Sequence, residues 1–211
     1  MKTSQAALYG SYRLGGGAYV GGIASAETSR VSLSRTAQTG NSAFDLTGAT
    51  HSERYTATAE AGVNLSVAKG LTLTPRAQLG YSSYKLDGFR ENGGEVALQM
   101  DDLKLQKVEA RLGAKLAGSM AIGGGWSFTP QIQADYVHLL SGADKGLAVR
   151  FANAPDYRFL LPLANGGSYA EIRGGFRMSK GKLDFGAGVQ ANIGNSLLQD
   201  NRAIADVSVH F

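Results

Sequence analysis

The sequence predicts an all-β chain folded as an antiparallel up-and-down transmembrane β-barrel, with about nine strands present. Three observations predict it. Apolar and polar residues alternate with a period of two through nine segments, and tight glycine turns alternate along the chain with long polar connections. No segment offers the roughly 18 consecutive apolar residues that a spanning helix needs. The longest uncharged run, Leu116 to Ala134, is interrupted by Gly123, Gly124, Gly125, Pro130, Gln131 and Gln133.

The first two strands, about Ala6 to Leu14 and Ala18 to Ala26, have the weakest pattern. Leu8, Tyr12 and Leu14 oppose Arg13 in the first, and the second has no settled register. Tyr55 to Val67 follows with Glu60 and Asn64 on its polar face, then Leu71 to Tyr81 with Arg76 and Gln78 there. Val108, Ala110, Leu112, Ala114 and Leu116 interleave with Lys107, Glu109, Arg111, Gly113 and Lys115. Trp126, Phe128, Pro130, Ile132, Ala134 and Tyr136 interleave with Ser127, Thr129, Gln131, Gln133 and Asp135. The last three strands carry Ala170 to Met178, Leu183 to Ile193 and Ala203 to Phe211, with Glu171, Arg173, Arg177, Asp184 and Asp206 on their polar faces. No helix arranges residues this way, because a helical face repeats every 3.6 positions.

Leu14 to Gly17, Ala68 to Gly70, Ser119 to Gly125 and Ser179 to Gly181 read as tight turns. Between them lie polar connections at about Glu27 to His51, Lys85 to Lys104 and Ser141 to Gly167, with a shorter one at Gly194 to Asn201. Loops of more than about 12–15 residues are uncommon in compact domains. In outer-membrane barrels, short periplasmic turns alternate with long extracellular loops.

A length of 211 residues is one domain by arithmetic, so residues 1–211 read as a single unit. A hydrophobic share of 43%, a charged share of 18% and a mean hydropathy of −0.13 fit a soluble domain equally well. A soluble β-barrel with an apolar ligand inside is thus one alternative, and a porin-like or adhesin barrel is another. The net charge of +4 is spread along the chain, which argues against a nucleic-acid partner. Cysteine is absent, so thiolate metal sites and disulfides are excluded. No G-x-S-x-G, H-E-x-x-H or P-loop motif occurs, and no enzyme activity, cofactor or metal is expected. Gly15-Gly16-Gly17 precedes a strand and reads as a hairpin turn. His51, His138 and His210 read as solvated side chains, and Asp101-Asp102 as a surface pair rather than a cation site.

Aromatic residues on the apolar face fall at the strand ends. Tyr12, Trp126, Phe128, Phe176, Phe185 and Phe211 lie near the short-turn end, and Tyr55, Tyr81 and Tyr136 near the long-connection end. Amphipathic rings at both rims suit two lipid–water boundaries. The ten residue steps from Trp126 to Tyr136 cover roughly 23 Å when tilted by about 45°, close to the apolar band of such barrels. If the short turns are periplasmic, nine strands ending in the periplasm begin outside the cell, so an odd number of strands is missing before Ala6. The N-terminus also lacks the apolar core of a signal peptide, and the chain reads as the C-terminal part of a longer protein.

The run Leu71-Thr72-Leu73-Thr74-Pro75-Arg76-Ala77-Gln78-Leu79-Gly80-Tyr81, then Gly88-Phe89-Arg90-Glu91-Asn92-Gly93, resembles a strand and following loop of the autotransporter translocator domain, the type V secretion family. Arg111 to Leu116 and Phe128 to His138 resemble its next two strands in order and spacing, and the likeness covers essentially the whole chain. It departs at Leu139, where the family often has an acidic residue, and the helical linker that fills the family's lumen is absent. The resemblance implies a twelve-strand barrel of which three strands are missing, an outer-membrane location, and partners in membrane lipid, the barrel-assembly machinery and the chain's own passenger segment. It also implies that Phe211, with Val209 and Val207, is the signal read by that machinery. The residues alone allow a plain lipid-facing strand.

The polar faces carry Arg13, Glu60, Arg76, Glu109, Arg111, Lys115, Asp135, Glu171, Arg173, Arg177, Asp184 and Asp206. These charges would hydrate a lumen or pair as struts across it, and struts are favoured because opposite charges in a confined space pair. Gly62, Gly80, Gly113, Gly175, Gly186 and Gly188 lie on the same faces. They would leave room for a helix or hairpin, or mark bends in single strands.

Overall fold

The structure, a computed structural model, describes residues 2–142, 146–162, 167–194 and 201–209. All regular structure among them is β. The strands are β1 (Lys2–Gly15), β2 (Ala18–Thr39), β3 (Ser42–Val63), β4 (Leu65–Ala68), β5 (Leu71–Leu86), β6 (Phe89–Arg90), β7 (Leu98–Met100), β8 (Leu103–Gly118), β9 (Met120–Ala121), β10 (Ser127–Ser141), β11 (Gly146–Phe151), β12 (Ala154–Pro162), β13 (Tyr169–Lys180), β14 (Leu183–Ile193) and β15 (Arg202–Val209). Nine of them form one antiparallel path, β1-β2-β3-β5-β8-β10-β13-β14-β15, in chain order throughout. That is the expected up-and-down order. The path ends on β1 and β15, and no pairing joins these two edges among the described residues.

Register determines the faces, because residues paired across antiparallel strands point the same way. One transverse row runs Gly62, Arg76, Gly113, Asp135, Glu171 and Asn192. The next runs Ala61, Ala77, Leu112, Tyr136, Ala170 and Ile193 on the opposite face. Leu79, Leu112, Ile132 and Val189 on this second face are 52–64% exposed, while Asp135 and Glu171 on the first are each 3% exposed. Burial is therefore inverted relative to a soluble barrel: the sheet curls around its polar face and turns its apolar face outward. This arrangement excludes an interior lined for an apolar ligand. The second strand also acquires its register, with Tyr19 beside Arg13 on the polar face and Val20 beside Tyr12 on the apolar one.

The long polar connections differ from expectation. Glu27 to His51 is a hairpin in which β2 and β3 stay paired from Ala18↔Val63 to Thr39↔Ser42. Lys85 to Lys104 contains β6 and β7, and Ser141 to Gly167 contains β11 and β12. Together they make a four-stranded sheet, β12-β11-β7-β6. This sheet joins the rim of β3 through reciprocal backbone hydrogen bonds between Thr47 and Asn92, at 2.9 and 2.8 Å. Strand pairing thus continues past the membrane span as a collar. Its small core of Leu46, Ala97 and Ala152, with Ala37, Phe44 and Val96 around it, is a buried apolar cluster.

The tight turns are as expected, with positive φ at Gly15, Gly16, Gly17, Gly70 and Gly181. At Gly17 a side chain is excluded twice, by a φ of +82° and by the Asn64 carbonyl oxygen, which a Cβ would strike. Asn64 in turn donates its N–H to the Gly17 carbonyl at 2.9 Å, while its side-chain oxygen accepts from the Thr74 hydroxyl at 2.8 Å. These local bonds interrupt the predicted Tyr55 to Val67 strand at Asn64, dividing it into β3 and β4.

The collar is held by a bidentate pair, Arg35 Nε and Nη2 to the Glu91 carboxylate at 2.8 and 2.7 Å. Glu91 also accepts from the Leu98 N–H at 2.8 Å. The Arg35 guanidinium holds the Glu91 carboxyl below the usual glutamate range, with the Leu98 N–H assisting against the opposing effect of burial. A depressed folded pKa gives stability that is present above the unfolded value of about 4.3 and lost as pH falls through the folded one. The protection of amides in residues 89–100, measured relative to the intrinsic exchange rate at each pH, is therefore expected to be high at neutral pH and to fall selectively as pH drops below the normal glutamate range. An equal fall in protection in β10 and β13 would refute the local assignment.

Candidate functional site

The candidate site is the polar face of the curled sheet. Arg13, Glu60, Arg76, Glu109, Arg111, Lys115, Asp135, Glu171, Arg173, Arg177, Asp184 and Asp206 all fall on it by register. The structure joins most of them into two ladders. In the first, Tyr19 donates to Glu60 at 2.6 Å, and Glu60 accepts from Arg76 Nη1 at 2.8 Å. Arg76 then reaches across β8 to Asp135 with a bidentate pair at 2.8 and 3.2 Å. In the second, Lys107 pairs with Glu109 at 2.7 Å, and Glu109 accepts from Arg111 at 2.8 Å. Arg111 reaches across β10 to Glu171 at 3.2 Å, and Glu171 is also bound by Arg173 and, at 3.0 Å, by Gln190.

Two things make these spans possible. Arginine has a long stem and a planar fork that matches a carboxylate. In the first ladder the bridged strand also presents little bulk, since the position between Arg76 and Asp135 is Gly113, whereas Arg111 passes Val137 and Asp135 on β10. A Cβ at Gly113 would strike the Asp135 carboxylate and the Ala134 carbonyl oxygen. At Gly62 the space is taken by the Tyr19 ring, whose nearest atoms lie 2.7–2.8 Å from a would-be Cβ. At Gly186 it is taken by the Asp206 carboxylate, and at Gly80 by Glu109, at 3.4 Å. Gly175 and Gly188 pair with each other, and their Cβ atoms would meet the Ala187 and Gly174 carbonyl oxygens at 2.6 and 3.1 Å. The room expected for a helix or hairpin is, at Gly62, Gly113 and Gly186, occupied by the chain's own side chains.

Arg177 and Asp206 approach to 3.8 Å, both about half-exposed. Arg13 and Lys115 have no carboxylate within 4.0 Å among the described residues. Sequence reasoning missed Tyr19 on the polar face and the buried Val137, 1% exposed beside Asp135 on the same strand. Tyr19 was detectable: it stands one residue from Val20, and only one of the two can face outward. Asp101 accepts from Arg150 and Arg158, each at 2.7 Å, and Asp102 accepts from the Gly88 N–H at 2.6 Å. No cluster of three or more metal-ligating side chains occurs among the described residues. His51 lies within β3 rather than a loop, 3.0 Å from Thr28, while His138 bonds Ser168 at 2.7 Å. His210 lies outside the described residues.

On the apolar face, Tyr12, Tyr55, Tyr81 and Tyr136 are 40–69% exposed, and Phe176 and Phe185 are 37–38% exposed. Trp126 packs against Phe185 at 5.9 Å and Phe128 against Phe176 at 5.5 Å, with the Lys180 ammonium 5.7 Å from the Trp126 ring. Val207 and Val209 share this face of β15 with Ala203 and Ala205, opposite Phe185 and Leu183. Phe211 lies outside the described residues.

Nine antiparallel strands in chain order, apolar outside, ion-paired inside and ringed by aromatic residues, define a β-barrel wall of the outer-membrane type. The profile of the family "Autotransporter beta-domain" matches residues 1–197, and the chain belongs to that family. Among solved structures it is similar to the translocator domain of the autotransporter NalP from Neisseria meningitidis, with 18% identity and a TM-score of 0.68. The likeness covers 99% of this chain and 66% of that one, so the chain spans less than two thirds of the NalP domain's length, and it shows the fold. Comparison with curated proteins found no match.

Proposed function

We propose that this chain forms the greater part of an outer-membrane barrel that anchors an N-terminal passenger and supports its export to the cell surface. The observation that carries this reading is the inverted burial. An apolar, aromatic-rimmed exterior is stable only in lipid, and an ion-paired interior gives a polar route past it. The inward arginines and carboxylates act chiefly as struts, and chemistry on bonds has no place in the mechanism. The free backbone groups of β1 and β15 cannot remain unpaired in hydrocarbon. Further barrel strands pair with them, bringing the wall to the twelve that the family resemblance implies. β15, with Val207 and Val209, presents the edge that the assembly machinery takes up by strand addition, and Phe211 completes the signal that the family resemblance implies.

Expression of the intact protein with and without Phe211 tests this reading. The intact protein is expected in the outer-membrane fraction, with heat-modifiable gel migration and its passenger accessible to external protease. Without Phe211 most of the protein is expected to remain periplasmic and be degraded. A chain that stays monodisperse in detergent-free buffer would refute the membrane assignment altogether.

A further inference from the structure

Beyond the tyrosines at the long-hairpin end, the outward face changes chemistry over two rows. Tyr55 and Ser83 are paired on that face. Two residues farther along, the row Thr28, Glu53, Lys85, Lys104 crosses β2, β3, β5 and β8. Two residues beyond that, Lys2, Arg30 and His51 form the next row on β1, β2 and β3, with Asp87 beside His51 through its N–H to the His51 carbonyl at 2.9 Å. With histidine neutral, these rows hold four cations against three carboxylates, Glu53, Asp87 and Asp102, the last binding the Gly88 N–H beside Asp87. Lys2, Arg30, Lys85 and Lys104 are all exposed. Lys85 pairs with Asp87 at 2.8 Å, and Lys2 and Arg30 have no carboxylate within 4.0 Å among the described residues.

Their height matters. With a rise of about 3.3 Å per residue and a tilt of about 45°, the two rows stand roughly 5 and 9 Å above Tyr55. The tyrosine rings mark the hydrocarbon boundary, so the cations lie at the level of lipid headgroup phosphates. A third cationic row lies higher. Arg90, Gln99, Arg150 and Arg158 are aligned across the collar sheet. The Phe89 ring lies 3.0 Å from a would-be Cβ on Gly48, on the polar face of β3, so neighbouring Arg90 faces outward. That row is several residues farther along the chain and is partly neutralised by Asp101.

We infer that the outward patch of Lys2, Arg30, Lys85 and Lys104 binds the phosphate groups of an outer-leaflet lipid, a phosphorylated glycolipid whose acyl chains lie against the apolar face below Tyr55. The inference rests on the membrane reading above and adds to it a specific lipid on one rim. Ammonium and guanidinium groups on one outward surface complement phosphate. The exposed Leu79, 52% accessible on the same face, offers contact to the chains. The patch is also continuous with the tyrosine rim: the Tyr81 hydroxyl accepts from Gln106 Nε2 at 3.1 Å, and Gln106 stands between Val108 and Lys104 on β8.

The test uses the full-length protein folded in phosphatidylcholine vesicles, with and without a bisphosphorylated glucosamine lipid, and reads lipid affinity by titration. The variants are the triple Arg30→Gln, Lys85→Gln, Lys104→Gln and the single Arg158→Gln. The triple variant is expected to lose about tenfold or more in affinity, since each surface cation contributes measurably to binding an anionic lipid. Arg158→Gln is expected to stay within about twofold of the parent protein. A smaller loss in the triple variant, a matching loss in Arg158→Gln, or equally tight binding by the parent protein when phosphatidylglycerol replaces the bisphosphorylated lipid would overturn the inference. Heat-modifiable migration in pure phosphatidylcholine is read in parallel. Its failure in the parent protein refutes the membrane reading itself, whereas its presence without lipid preference refutes this inference alone.

Discussion

Replacing Arg76 with Gln is expected to lower the folding stability of the barrel by about 3–5 kcal/mol, the usual cost of removing one partner of a buried ion pair. Arg76 is 14% exposed, and its two partners, Glu60 and Asp135, are 24% and 1% exposed. Without the guanidinium, Asp135 retains only the Gln133 amide and stays buried as an uncompensated charge. Unfolding by urea in lipid vesicles measures the effect. The double variant Arg76→Gln, Asp135→Asn is expected to be more stable than the two single losses predict together, by about 1–3 kcal/mol. A cost below about 1 kcal/mol for Arg76→Gln would place the pair among those that surface water already satisfies.

Gly113→Leu is expected to be at least as damaging, because it acts on the same pair through sterics. A Cβ at this position collides with the Asp135 carboxylate and with the Ala134 backbone, so the neighbouring strand must move or the Arg76–Asp135 bridge must open. Opening the bridge forfeits the same roughly 3–5 kcal/mol and adds overpacking strain of about 1–3 kcal/mol. The variant is expected to lose its folded, fast-migrating gel form in cells. Gly10→Leu serves as the comparison, since a Cβ at Gly10 meets nothing within 4 Å. Equal behaviour of the two variants would show that glycine at position 113 is needed for backbone flexibility and not for the space it leaves.

The faces of the wall were legible in the sequence because a lipid-facing strand must alternate. Leu71 to Tyr81 and Leu183 to Ile193 each place every second side chain in hydrocarbon, and the pattern follows. The same reasoning failed for Glu27 to His51 for a physical reason. Beyond the membrane the hairpin's outer face meets water and its inner face is covered largely by polar neighbours apart from the small cluster at Leu46, so Thr28-Ser29-Arg30 and Ser32 to Thr36 show no apolar period although they are strand. The ladders were legible only as a list of charges. Which charges meet depends on register between strands distant in sequence, such as Arg76 with Asp135, and on a glycine in the intervening strand. Tyr19 was missed because the pattern of the second strand fixes no register; its ring covers Gly62 on the inner wall, as an aromatic ring does over a strand glycine.

The two ladders share a geometric property. Arg76 to Asp135 and Arg111 to Glu171 each skip a strand, joining points two strand spacings apart, about 9.6 Å along the wall. A link of that kind is a chord drawn beneath an arc, and a chord of fixed length sets the curvature of the arc above it. The bore is therefore set by side-chain length as well as by the number of staves. On the reading proposed above, a passenger segment wider than the bore would pass only after ion pairs on the inner wall release.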